Sequence, residues 1–482
     1  MNRVVGLETE YGCLTDAEGG PVAVVQRIRD RIFQDGHGLS DLHQRDWDEP
    51  AGNGGFLFNG GRCYVDMGHL EYCTPECRDL RDLIRFDKAG DRLIEQAVET
   101  EGMAQGTSFV RNNIDYYSGA TFGCHENYLL RRDAPLTEAS VQSLLTFLTL
   151  RMLITGAGRV RASPQAEARM ETLAGWRDAD FQVSQRADFI NNDLFEWVQF
   201  NRAIINTRDE PLADPRRFRR LHLLHGDTSV LPATLALKVG ATSLVLDLLE
   251  IGQMPDHRLA DAVLTFRSLS HIVRPPWRVS LADGTSGCAL EMLRSFLETA
   301  EREFRGRDSE TDDVLDLWDR ALAGLEGDQE TVVGVIDWVT KRWLFEQFRQ
   351  SEGLAWDDPW LQAQDLEFHA VAAARNIAFP LARTPPEWMP LDSEVETAIH
   401  DAPGNTRAFA RSRAMRALKG SRAPYLVDWE KVSIEGVSPL RLADPFDWEP
   451  EGFATWLRRL KTELAERNPG LGDQGEGRGT AR

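Results

Sequence analysis

Apolar and polar residues alternate with a period of two in short stretches early in the chain, and with a period near 3.6 in longer stretches later. Period two places successive side chains on opposite faces of a strand, and period 3.6 places an apolar stripe on a helix. The pattern predicts strands over residues 3–11, around Tyr64, and over 107–113 and 121–130. Helices are expected over 79–98, where Leu80, Leu83, Ile84, Leu93, Ile94 and Ala97 recur at helical spacing, and over 137–156. Strands over 179–186, 198–206 and 219–225 precede helical stretches at 240–252, 286–304, 311–324 and 329–350, with Trp318, Trp338 and Trp343 as packing residues. Pro380, Pro385, Pro386 and Pro390 mark the end of a large domain, and 424–465 reads as a small unit of strand, loop and helix. The division is therefore 1–395, 396–467 and a Gly-rich tail, 468–482, whose composition predicts disorder. The polar passage from Gly36 to Gly55, with Asp41, Asp46, Asp48 and Glu49, is expected to be a mobile loop over a site.

Composition narrows the classes. The 482 residues, 42% hydrophobic and 27% charged, suit a soluble chain with more than one domain. No apolar run of membrane-spanning length and no basic-then-apolar leader is read, so a cytoplasmic protein with no membrane partner is expected. The six cysteines lack metal-site spacing and read as buried reduced thiols. A net charge of -21 argues against nucleic-acid binding, which needs a basic face. An anionic substrate would have to be drawn in by local arginines, such as Arg216, Arg217, Arg219 and Arg220, or Arg407, Arg411, Arg413, Arg416, Lys419 and Arg422.

The candidate chemistry begins at Glu8 and Glu10, one residue apart in an apolar strand and so on one face. Carboxylates about 4 Å apart repel by roughly 4 kcal/mol at an effective dielectric near 20, so a cation between them or a bound proton is expected. A hard divalent ion such as Mg²⁺ suits oxygen ligands; a solvated strand face is the bland alternative. Tyr64 and Asp66 share a strand face, and Asp66 is placed to act as base or nucleophile, or merely to cap a turn. His125 and Asn127 share a face opposite Glu126, and His222 lies downstream. Polar residues Arg111, Asn112 and Asn113 in a probable central strand point to a wet or ligand-filled cavity. Arg208 has the fork that grips phosphate or carboxylate. No glycine-rich phosphate loop is present, so the acids and arginines would have to hold any nucleotide.

At these residues the chain resembles the family of prokaryotic ubiquitin-like protein (Pup) ligases and Pup deamidases/depupylases. The likeness is carried by GLETEYG (6–12), NGGRCYVD (59–66), EYCTPEC (71–77), FDKAGDRLIE (86–95), GCHENYLL (123–130), SQRADF (184–189), NTRDEPLADP (206–215) and NTRAFARS (405–412). It implies an α+β fold: a glutamine synthetase-like curved antiparallel sheet cradling ATP, backed by helices, with a small C-terminal domain. Carried over by position, Glu8, Glu10 and Glu71 resemble Mg²⁺ ligands and Asp66 the catalytic aspartate. Tyr64, His125, Asn127, Arg208, His222 and Arg407 resemble nucleotide or active-site contacts. The expected function is ATP-dependent ligation of a small acidic ubiquitin-like tag, through its C-terminal glutamate, to a target lysine. Amide hydrolysis on the same fold, a divergent phosphotransferase and a non-catalytic scaffold are the alternatives. GLETEYG and GCHENY resemble the ligase branch, whereas FQVSQRADF (181–189) and EGLAWDDPWL (352–361) resemble the deamidase.

Overall fold

The computed structural model describes residues 3–45, 49–116, 120–161, 180–196, 202–421 and 423–467. The expected tail from Asn468, Asp46 and Asp48 of the expected loop, residues 198–201, and Arg422 lie outside these. The first strand, β1 (Val5–Thr15), sits in the middle of a ten-stranded sheet. The others are β2 (Gly38–Ser40), β3 (Gly54–Leu57), β4 (Arg62–Asp66), β5 (His69–Cys73), β6 (Thr107–Val110), β7 (Cys124–Arg131), β10 (Asn192–Phe195), β11 (Ala203–Asn206) and β12 (Phe218–Leu223). A separate short pair, β8 (Arg159–Val160) and β9 (Phe181–Gln182), makes its own ribbon. The order is β10-β11-β12-β7-β1-β5-β4-β3-β2, with β6 pairing the far end of β1. Every pairing is antiparallel except β10 with β11, so the sheet is mixed rather than wholly antiparallel. The passage from Gly36 to Gly55 is in part sheet edge: β2 and β3 pair within it, because backbone groups there find ladder partners.

Alternation along β1 divides the two faces. Val5, Leu7, Thr9 and Tyr11 are buried, while Glu8 and Glu10 are only half-buried on the other side. The buried face packs on α2 (Leu80–Thr100), capped by the Asp79 carboxylate, which accepts from the Asp82 amide at 2.7 Å. Gly90 of α2 is required for this approach, since a Cβ there would lie 2.4 Å from the Tyr72 ring. Helix α3 (Glu138–Leu150) and the helix Pro232–Glu250 complete the layer. The latter is the one helix among the described residues long and apolar enough to cross a membrane, but 94% of its apolar window is buried inside the protein. Apolar character all round is what an enclosed core helix needs. Further helices, Ala289–Phe304, Ser309–Glu326 and Asp337–Glu352, carry Trp318 and Trp338 fully buried.

The polar run after β6 is largely tied to other protein groups. Arg111 donates to Asp91 at 2.6 Å and to Asp87 at 2.8 Å, and Asn113 is hydrogen-bonded to Thr228, Gln185 and the Phe122 carbonyl. Protein groups thus pair much of this run, α2 supplying the two carboxylates, while Arg111 Nε and Asn112 Oδ1 are buried without a hydrogen-bond partner among the described residues.

A second, smaller core lies in the C-terminal part. The strands Tyr425–Asp428, Lys431–Ile434 and Val437–Arg441 form an antiparallel sheet packed on helices Ala408–Leu418 and Phe453–Arg467. Phe56 and Phe58, from β3 and just beyond, enter this core and fasten it to the large sheet. The boundary drawn at 395 falls inside helix Asp392–His400, whose Val395, Ala398 and Ile399 belong to the main core.

Candidate active site

The open face of the sheet collects polar side chains from five adjacent strands. Glu8 stands opposite His125 and Cys73, Glu10 opposite Glu71, Glu71 opposite Tyr64, and His222 opposite Asn127. Period two then turns Arg62, Tyr64 and Asp66 of β4 to one side together, as it does His125 and Asn127 of β7. Glycine is needed where the strands converge: a Cβ on Gly123 would lie 2.5 Å from Glu10 Oε1.

The acids form two groups rather than the single one expected. Glu8 gathers with His125 and His222, and Glu10 with Asp66 and Glu71, each set offering ligand atoms mutually within 4.8 Å. Glu8 Oε2 lies 3.1 Å from His125 Nδ1 and 3.6 Å from His222 Nε2, and Asn127 Nδ2 donates to Glu8 Oε1 at 3.0 Å. Burial acts to raise the Glu8 carboxyl, but its contacts with His125 and His222 hold it well below the usual carboxylate range. Glu71 goes the other way. Burial first, then the charges of Glu8, Glu10 and Asp66, push it well above that range. Crowded acids that raise one another in this way are the electrostatic condition a bound cation relieves.

The donor chemistry fits divalent metal. Glu10, Asp66 and Glu71 form an all-oxygen set suited to Mg²⁺. His222 Nε2 is buried with no hydrogen-bond partner, and burial lowers its proton affinity. A neutral imidazole is the metal-binding form; the ring's Nδ1 lies 3.4 Å from the Asn206 amide nitrogen, and its Nε2 faces Glu8.

Next to Glu8 a cleft opens between the large sheet and the small C-terminal unit. Arg62, Tyr64, Asn127 and Arg220 line one side, and Arg407 and Trp429 the other. The Arg62 guanidinium stacks 4.1 Å from the Tyr64 ring centre and pairs with Asp41 at 3.1 Å and Glu49 at 2.5 Å. Arg407 reaches the cleft, yet its guanidinium is committed to Glu76 at 2.7 Å and to the carbonyls of Leu212 and Leu442. Burial would raise Glu76, but Arg411 and Arg407 hold it at about 2. The basic run 407–416 thus begins as a buried clamp between the two cores, not as a solvent-facing arginine edge. Arg208 sits in the exposed loop after β11, paired with Glu210 at 2.8 Å and outside the cleft lining.

Of the residues singled out from sequence, Glu8, Glu10, Tyr64, Asp66, Glu71, His125, Asn127 and His222 share this face; Arg208 does not. Sequence reasoning gave no role to Arg62, although its position two and four residues before Tyr64 and Asp66 already puts all three on one face.

Such a centre, with an acidic metal-suited face beside a cleft carrying arginines, defines a class of enzyme that works on an anionic, nucleotide-like ligand. The comparisons with known proteins narrow the class. The sequence model of the Pup-ligase protein family matches residues 3–433, and the chain belongs to that family. The Pup–protein ligase of Xylanimonas cellulosilytica is 35% identical over 464 residues, covering 92% of this chain and 96% of the relative. That of Corynebacterium jeikeium is 34% identical over 465 residues, covering 92% and 95%. Among solved structures, the complex of Pup with its ligase PafA superposes with a TM-score of 0.82 at 30% identity, covering 97% of this chain and 93% of that one. A PafA complex with ADP gives 0.76 at 31% identity, covering 93% and 95%. The α+β expectation agrees with these neighbours.

Proposed function

We infer that this chain is an ATP-dependent Pup–protein ligase. It phosphorylates the side-chain carboxylate of the tag's C-terminal glutamate and joins it to a target lysine through an isopeptide bond. Family membership across residues 3–433 supports the activity. The observation that carries the chemistry is the Glu10–Asp66–Glu71 group, three acids on one face with Glu71 forced toward protonation.

In this reading ATP lies in the cleft, its polyphosphate running along the open face toward Glu10. Arg62 and Arg220 supply positive charge to the phosphates from the cleft wall. Glu8, with His125 and His222, and Glu10 with Glu71, would hold divalent metal, Mg²⁺ being the fitting ion. Bound there, the metal would neutralise charge developing on the transferring phosphoryl group. Asp66 stands at the end of β4 and takes the proton from the incoming lysine ammonium, which must be neutral to attack. Asn127 fixes Glu8, and Gly123 leaves Glu10 room. The small C-terminal unit, beginning after helix Asp392–His400, closes the cleft with Trp429. An ATP-using chain with six free thiols fits a reducing cytoplasm.

The test is direct. Purified protein with ATP, Mg²⁺, a tag ending in glutamate and a lysine-bearing protein yields a heavier conjugate and ADP in step. Absence of conjugate, with cleavage of a preformed one instead, would transfer the assignment to the hydrolytic branch.

A further inference from the structure

Past Glu10, on the side away from the cleft, stand two arginines that make no ion pair among the described residues. Arg186 is 3% exposed, and its Nη1 donates to the Phe122 carbonyl at 2.6 Å, while its Nε is buried with no hydrogen-bond partner. Phe122 adjoins Gly123, the residue that abuts Glu10, so this guanidinium lies one peptide from the acidic group. Arg202, exposed, reaches over the Phe189 ring at 6.0 Å. Among the described residues neither guanidinium has a carboxylate within salt-bridge distance. Both nevertheless feel the charge of Glu10, and Arg186 that of Asp227 as well, but burial together with their mutual repulsion still disfavours the charged form of Arg186.

A buried guanidinium left without a counter-ion is costly unless an anion arrives. The position of that anion follows from the reaction. The acceptor of a phosphoryl group sits in line with the leaving diphosphate, so it lies beyond the acids, opposite the cleft. A C-terminal glutamate brings two carboxylates to that place, and only one is phosphorylated. The planar arginine fork is the group that holds the other.

We propose that Arg186, assisted by Arg202, binds the free α-carboxylate of the tag's last residue, so that a terminal glutamate is accepted and an internal one refused. This rests on the ligase reading above. Arg186 is anchored by its backbone, its amide donating to Ser184 Oγ and to Asp227 Oδ1, each at 3.1 Å, so side-chain replacement spares that anchor.

The experiment compares two tags, one with a free C-terminal α-carboxylate and one with that group amidated, by steady-state conjugation and by nucleotide binding. Wild type is expected to show a KM at least about tenfold higher for the amidated tag. Arg186→Met and Arg202→Met are expected to raise KM for the free tag about tenfold, to treat both tags alike, and to leave ADP affinity unchanged. Equal use of both tags by wild type would overturn the assignment, as would variants that keep the discrimination. A loss of ADP affinity in both variants would also overturn it, placing the arginines on the nucleotide. Absence of conjugate with either tag would instead remove the ligase reading itself.

Discussion

Strand β7 carries two kinds of acid environment, one on each side. On the buried side Glu126 is held by Arg151, at 2.6 and 2.9 Å, with Tyr128 donating to it. Burial would raise its carboxyl, but Arg151 holds it at about 2. On the open side His125 and Asn127 meet Glu8, and beyond it Glu10, Asp66 and Glu71 crowd together, their charges and burial pushing Glu71 well above the usual carboxylate range. The two sides obey the same electrostatics and differ only in where the counter-charge comes from. Where the chain supplies it, the acids are fastenings. Where acids crowd acids instead, as at Glu71, a bound cation would relieve the repulsion.

The sharpest break in that contrast is Asp66→Asn. Nucleotide affinity is expected to persist while turnover falls about 10²- to 10⁴-fold, measured by ADP release with tag and target present. Retained turnover would take Asp66 out of the reaction. On the other side of the sheet, Arg151→Met strips Glu126 of its partner, and a loss of about 3–5 kcal/mol in chemical denaturation is expected.

Acid should loosen the fastenings. The folded carboxyls of Glu76 and Glu126 titrate at about 2 against an ordinary 4.5, so their contribution is present above 4.5 and lost as pH falls toward 2. His225, lowered by burial and then by Arg151, titrates at about 3 against 6.5, so the unfolded chain takes up that proton first, and stability starts to fall below 6.5. A melting curve that is flat from pH 7 to pH 3 would contradict this picture.

Glu71 reverses the sign. Its carboxyl titrates well above the usual range when the chain is alone, so its contribution is lost as pH rises, and at neutral pH it works against the fold. Glu71→Gln is therefore expected to stabilise the metal-free protein by about 1–2 kcal/mol while abolishing the melting-temperature rise that Mg²⁺ gives wild type. Destabilisation would mean that the open-side acids are structural after all. Arg208→Ala should be the mildest change: the Arg208–Glu210 pair is exposed, and less than about 0.5 kcal/mol is expected in the same denaturation assay.

Much of the candidate site was legible in the chain because strands project side chains with a fixed period. Glu8 with Glu10, Tyr64 with Asp66, and His125 with Asn127 needed only alternation to be placed on common faces, and Arg62 could have been read in the same way. The helix at 80–100 and the packing tryptophans followed from the 3.6 period. What alternation cannot give is register between strands distant in sequence. That Glu8 joins the two histidines while Glu10 joins Asp66 and Glu71 follows from β1 lying between β5 and β7. Nor could local pattern show that Arg111 is answered by two acids one α-helical turn apart on α2, or that Arg407 and Arg411 close on Glu76. A charge in sequence has no partner until the chain has folded around it. The amino-acid order fixed which groups could meet on each face; tertiary packing decided which acids were neutralised and which were left open, because that depends on distance through space and on exclusion of water.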